Sequence, residues 1–259
     1  MSAKIIAVSN QKGGVGKTQT AISLGVGLAK HGKKVMIADL DPQGSCTISL
    51  GFKDFYEVTI SEILQCMIDG AELPSKESYL LHTEGVDLIP CDIRLAGIET
   101  RLLNSLSREN KLKFFLSELR EDYDYILLDC PPALSMLTLN ALVAADSVLI
   151  PVQAENLATM GLVELLKTIS MINKQINPTL TIEGILITLY DKRLKEANVT
   201  VESILTAYSE HIKIFDTYIP KSTRVSEATR IGKSIFESDP NGKVTIAYEN
   251  IVKELIENE

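Results

Sequence analysis

No apolar run in the chain approaches the roughly 18 residues a membrane-spanning helix needs. A basic leader and a small-residue cleavage site are also missing: Met1 is followed almost at once by Lys4-Ile5-Ile6-Ala7-Val8-Ser9, which reads as a strand. Neither secretion nor a membrane span is expected. Cysteine is sparse, and Cys46, Cys66, Cys91 and Cys130 form no CxxC pair and have no histidine cluster beside them. This excludes a disulfide framework or a zinc ribbon and implies reduced thiols in a cytoplasm. His31, His82 and His211 show no partner pattern. No repeat, low-complexity tract or Pro/Gly/Ser linker interrupts the chain, so residues 1–259 are expected to form one domain. A net charge of −8 argues against a surface that coats nucleic acid throughout, though a local basic patch remains open.

What is present is ordinary globular material, 45% apolar and 23% charged, ample for a buried core. Short apolar strands alternate with helical patterns. Strands are expected at 4–9, 34–41, 86–91, 123–132, 147–153, 182–190 and 213–219. Helices are expected at 18–32, 59–68, within 93–120, and at 137–145, 161–175, 198–210, 224–235 and 243–257. Segments 42–58 and 70–84 read as irregular. Continuous apolar strands separated by helices indicate an α/β fold with a mostly parallel, twisted sheet and helices on both faces.

Between the first strand and the first helix stands Gln11-Lys12-Gly13-Gly14-Val15-Gly16-Lys17-Thr18. That is the context a phosphate-binding loop requires. Backbone N–H groups converge on phosphate oxygens only where no Cβ blocks them, and the next helix adds its positive end. Lys17 would neutralise the β- and γ-phosphates, and the Thr18 hydroxyl would bind Mg²⁺. The strict GxxxxGK[ST] pattern is not met, because Gln11 stands at its first glycine and a second lysine, Lys12, is added.

Three acids complete the pattern. Asp39 and Asp41, in Ala38-Asp39-Leu40-Asp41-Pro42-Gln43-Gly44, end the second strand, where alternation would place both on one side. Asp129 ends Tyr125-Ile126-Leu127-Leu128-Asp129, four apolar residues delivering one carboxylate, as in a Walker B strand.

The run from Lys12 to Thr18 resembles the deviant Walker A loop of the ParA/MinD group of P-loop ATPases. The stretches 137–155, 187–193 and 218–228 resemble its ParA/Soj branch, so the likeness covers nearly the whole chain. The resemblance implies a P-loop NTPase fold that binds ATP and Mg²⁺. By it, Lys12, Gly13, Gly14, Val15, Gly16, Lys17, Thr18, Gln19 and Pro220 contact the nucleotide. Thr18, Asp39 and Asp129 serve the metal, partly through water, and Asp41 positions the hydrolytic water. Lys12 reaches across a sandwich homodimer to the partner's ATP. Pro131 and Pro132 stiffen a γ-phosphate-sensing loop. Arg193, Lys221 and Arg224 bind DNA without sequence preference. A ParB-like protein stimulates an otherwise slow hydrolysis, and the protein is cytoplasmic and nucleoid-associated.

Departures from that pattern are Gln19 for a second threonine, Ser45-Cys46 for Asn-Ala, Asn156-Leu157 for Tyr-Tyr, and a loose match at 231–240. They touch the partner and cargo rather than the ATP chemistry. Residues 190–233 sum to +2 while the remainder carries −10, so DNA contact there would be to phosphate and salt-sensitive. Alternatives are a ParA-like ATPase positioning a protein cargo, a MinD-like division regulator, and an iron–sulfur reductase of the nitrogenase type. The 243–259 tail is acidic, unlike a membrane-seeking helix. No second cysteine stands at a motif matching Cys130, which is expected to be a buried thiol. No operator-reading domain is expected ahead of the loop.

Overall fold

The computed structural model describes residues 2–54, 56–155 and 158–257, with only the backbone described at 158–160. In chain order the elements are β1 (Lys4–Val8), α1 (Lys17–Lys30), β2 (Val35–Asp39), α2 (Ser45–Ser49), α3 (Ile60–Asp69), α4 (Lys76–Tyr79), β3 (Leu81–Thr83), β4 (Val86–Ile89), α5 (Arg94–Leu102), α6 (Lys111–Ser117), β5 (Tyr125–Asp129), α7 (Met136–Ala144), β6 (Ser147–Gln153), α8 (Ala158–Gln175), β7 (Thr181–Thr188), α9 (Lys195–Tyr208), α10 (Thr223–Ile231), α11 (Ile235–Ser238) and α12 (Lys243–Glu257). Among the described residues the strands make one sheet in the order β3-β4-β2-β5-β1-β6-β7. Every pairing is parallel except β3 with β4.

The central strands are apolar on both faces because both faces are covered. Ile5, Ala7, Ile126 and Leu128 point into one core, and Ile6, Tyr125 and Leu127 into the other. Helix α1 lies on the second face, wedged between the sheet and α12. Glycine permits this closeness: a Cβ at Gly25 would come within 2.7 Å of Ile37 Cδ1, and one at Gly27 within 2.7 Å of Val252 Cγ2. The register pairs Val8 and Asp39 with Asp129 on either side, so the carboxyl ends of β1, β2 and β5 form one ledge.

The expected alternation holds through most of the chain, with local differences; the helix expected at 198–210 starts at Lys195, and that expected at 224–235 is divided into α10 and α11. The 42–58 and 70–84 segments contain α2, α4 and β3. The 93–120 stretch divides into α5, a 3-10 turn at Arg108–Asn110 and α6. The last long helix of the sheet region starts at Ala158 rather than 161. The strand expected at 213–219 is not one: the chain there forms isolated bridges, Ile185 to Ile214 and, just beyond β7, Tyr190 to Pro220, with one further bond from the Ile219 N–H to Ile187 O at 2.8 Å. The Phe215 N–H donates to Ile185 O and the next bond, from the Ile219 N–H, goes to Ile187 O, so four steps of this segment span two steps of β7 and the extra residues interrupt the ladder. Upstream, the β6–β7 register slips between Val148 and Leu149, and the Phe215 ring lies over Gly184, where a Cβ would sit 2.8 Å away.

Candidate nucleotide site

The loop from Ser9 to Gly16 is held at three points. The Asn10 amide donates to Pro151 O at 2.7 Å while its oxygen accepts the Lys12 N–H at 2.9 Å. The Thr188 hydroxyl donates to Val15 O at 2.7 Å. Gly14 and Gly16 have φ of 74° and 87°, left-handed values that glycine adopts without strain. Space above Gly14 is open, with no atom within 4 Å of the place a Cβ would occupy. Gly16 precedes α1, whose first turn has neither a side-chain cap nor an acidic residue. Its free N–H groups and positive end therefore face an anion-sized opening. Val15 is buried and takes part through its backbone.

Lys17 is 7% exposed, and its ammonium donates to Lys12 O at 3.2 Å. Burial lowers its pKa, while Asp129 works in the opposite direction. Asp129 is wholly buried, and neither carboxylate oxygen has a hydrogen-bond partner. Burial, then the neighbouring Asp39, pushes its pKa well up; the Thr18 hydroxyl and Lys17 pull it back. A buried carboxylate with open oxygens beside a threonine hydroxyl and a phosphate-sized cradle fits a Mg²⁺ site, since that ion takes one or two protein oxygens and fills its shell with phosphate and water.

The two remaining acids differ from each other. Asp39 is fully buried and saturated: it accepts from the Thr47 N–H, the Thr47 hydroxyl and the Asp41 N–H. Asp41 lies beyond the strand, in a turn where its carboxylate accepts the Gln43 N–H at 3.0 Å. Strand alternation thus does not set its direction; the turn does. Asp41 lines a cavity of about 400 Å³ together with Gly13, Lys17, Thr18, Gln19 and Pro132. The same cavity is also lined by the apolar Leu189, Ile219, Pro220 and Val225 and by Tyr248 of α12. A cavity that combines a glycine loop and charged groups with apolar side chains suits a nucleotide.

A family model described as an AAA domain matches residues 3–182. The sporulation initiation inhibitor protein Soj of Bacillus subtilis is 42% identical over 256 residues, covering 98% of this chain and 99% of Soj. The chain belongs to the ParA/Soj family of P-loop ATPases. The chromosome partitioning protein ParA of Caulobacter vibrioides is 37% identical, over 99% of this chain and 95% of its own. A Mycobacterium smegmatis structure named cobyrinic acid a,c-diamide synthase, with bound ADP and magnesium, is 36% identical with a TM-score of 0.84, over 99% of this chain and 95% of that one. The same mycobacterial protein also holds an ATP analogue with magnesium.

Several ParA/Soj positions fall outside the cavity. The Lys12 ammonium pairs with Glu155 at 2.9 Å, both half-exposed. Gln19, by contrast, lines the cavity, and its amide donates to Ser23 at 2.7 Å along α1. Arg193 and Lys221 are brought together because the Lys221 N–H donates to Tyr190 O at 3.1 Å. Arg193 is 83% exposed and pairs with Asp191 at 2.6 Å, which holds the Asp191 carboxyl down at about 2. Arg224, at the start of α10, pairs with Glu227 at 2.8 Å. Cys130 is a buried thiol whose pKa burial raises. Among the described residues no three His, Cys, Asp or Glu converge as a metal-binding group, and no helix is long and apolar enough to cross a membrane. Asn156 and Leu157 lie outside the described residues. Asn10, Thr47, Thr188 and Tyr248 were not marked by any motif; of these only Asn10, an Asx-type turn former next to a glycine loop, carried a local signal.

Proposed function

We propose that this chain is a slow, partner-stimulated ATPase of one domain that dimerises with ATP, binds DNA without sequence preference, and segregates or positions DNA with a ParB-like activator. The observation that carries the nucleotide chemistry is the unpartnered Asp129 carboxylate, buried opposite the uncapped start of α1. The backbone N–H groups of residues 13–18 cradle the phosphates, and Lys17 neutralises them. Thr18 and Asp129 would hold a magnesium ion, directly or through water, with Asp39 supporting them from behind, and the bound ion would supply positive charge against that of the phosphates. Asp41 orients the attacking water and accepts its proton. Pro132, on the same wall, reports the γ-phosphate to the loop after β5. Pro220 and its neighbours enclose the base.

Lys12 is the group for the trans contact. It is exposed, and Lys17 already fills the cis position. Arg193, Lys221 and Arg224 supply the DNA contact from the exposed surface of a net acidic chain, and a dimer doubles that patch, which makes binding ATP-dependent. The protein would then sit in the cytoplasm on the nucleoid. A MinD-like membrane role is disfavoured because the inner face of α12 is spent on α1, with Tyr248, Ile251 and Val252 buried.

Fluorescence anisotropy on random-sequence duplexes tests the reading. Binding is expected with MgATP and absent with MgADP. Arg193→Glu with Arg224→Glu should remove it while dimerisation survives, and each lost phosphate contact should flatten the salt slope by about 0.9. Binding that ignores the nucleotide, or survives in the double variant, refutes the DNA assignment.

A further inference from the structure

Asp39 and Asp129 stand side by side in register, yet their surroundings are opposite. Asp129 is open at both oxygens; Asp39 is closed at both. The residue that closes Asp39 is Thr47, on the first turn of α2 and 4% exposed. Its N–H and its hydroxyl donate to Asp39 Oδ2 at 2.9 and 2.8 Å. Its hydroxyl oxygen accepts the Cys91 N–H, just past β4, at 3.0 Å. The other Asp39 oxygen accepts the Asp41 N–H at 3.2 Å. Between these ties the chain makes a tight turn, with the Gly44 N–H donating to Asp41 O at 2.8 Å. The loop that carries Asp41 is therefore fastened at both ends to one buried carboxylate.

We propose that Thr47 is a positioning residue for ATP hydrolysis: its hydroxyl orients Asp39, and Asp39 holds the Asp41 loop at the phosphate end of the cavity. A hydroxyl has one proton to give, and here it is committed to Asp39. The observed lone-pair partner is Cys91 N–H, so Thr47 acts through the loop and not on the nucleotide. Asp39 in this arrangement is an anchor, and Asp129 is the carboxylate left open toward the ion. The inference rests on the hydrolytic role proposed for Asp41.

Thr47→Val keeps the shape and removes both the donor and the acceptor. Nucleotide affinity depends on the loop at 13–18, which Thr47 does not touch, so the MgATP Kd should stay within about threefold. The single-turnover hydrolysis rate should fall roughly 10- to 100-fold, the scale of an ångström-sized misplacement of a reacting group. Thr47→Ser should restore it to within about threefold, because it keeps the hydroxyl. Rates are taken per nucleotide-binding site, so loss of folded protein does not count. Should Thr47→Val fail to fold, Thr47→Cys replaces it, with a weak S–H donor and the same expected split between affinity and rate. A wild-type rate per site, even with a lowered Tm, assigns Thr47 a structural role only and overturns the proposal. Parallel loss of affinity and rate overturns it too. If Asp41→Ala stops hydrolysis while Thr47→Val does not slow it, this inference fails alone. If neither the wild-type protein hydrolyses ATP nor Asp41 matters, both readings fail.

Discussion

Replacing Asp129 by asparagine should make the nucleotide-free protein more stable and deprive it of its response to magnesium. The carboxyl is wholly buried, has no hydrogen-bond partner and faces Asp39, so its pKa is pushed well above the ordinary value, first by burial. In the unfolded chain it ionises near pH 3.9. Over the interval above that, the folded state binds the extra proton, so stability is greatest in acid and falls as pH rises. The loss is about 1.4 kcal/mol per pKa unit, with a ceiling of roughly 5 kcal/mol at pH 7.5 if the group stays protonated when folded. Asparagine escapes the charge but still leaves polar atoms unpaired, so the variant should gain only part of that ceiling. At roughly 2–4 °C per kcal/mol for a chain of this size, the expected sign is a rise in Tm of several degrees. Differential scanning calorimetry from pH 4 to 8, in nucleotide-free buffer, reads it directly. The wild-type Tm should decline across the range and the variant's curve should flatten. Asp39, whose pKa burial raises to about 6, should add a falling contribution below that pH in both proteins. Adding MgATP should raise the wild-type Tm, and the variant should gain no more from MgATP than from ATP with a chelator. A variant with the wild-type slope, or with a full magnesium response, would show that Asp129 is not the open carboxylate of the site.

Other substitutions separate the steps. Lys17→Ala should weaken MgATP binding by at least about 100-fold, since a buried charge-assisted contact is lost, and isothermal titration with unchanged affinity would contradict the assignment. Lys12→Ala should still bind nucleotide yet fail to dimerise with a non-hydrolysable analogue in light scattering; normal dimers would rule out its trans role. Asp41→Ala should bind MgATP and accumulate as a persistent dimer, because the water loses its orienting carboxylate while the phosphate contacts remain. A wild-type single-turnover rate would move that role elsewhere.

The phosphate loop and Asp129 were legible because their chemistry is local: glycines at fixed offsets, a lysine, and an acid closing an apolar run. Thr47 was not, because it gains its meaning from Cys91, 44 positions away, which only the strand order brings near. Asp41 misled alternation because the strand stops at Asp39. The β3–β4 hairpin escaped notice for a related reason. Its two-residue turn puts Glu84 at φ 47°, a value glutamate seldom takes, and Ser234 from the far end of the chain holds that side chain through its N–H at 3.0 Å. The interrupted pairing at 213–219 likewise depends on which backbone groups meet along β7, which composition does not record.

The close seat of α12 on α1 has a consequence for how the protein is made. Residues 17–30 form the helix that leads from the phosphate loop, but their outer face is covered by Tyr248, Ile251 and Val252. The Thr20 hydroxyl and Tyr248 OH are 3.1 Å apart in the finished structure, across 228 positions of sequence. During synthesis the nucleotide helix must therefore wait, with its apolar side uncovered, until residues 243–257 have left the ribosome. Contacts of such long span form late and expose the nascent chain to aggregation meanwhile. Early phosphate-loop formation and late closure would tie ATP capture to the docking of α12: the slot is walled only when that helix arrives.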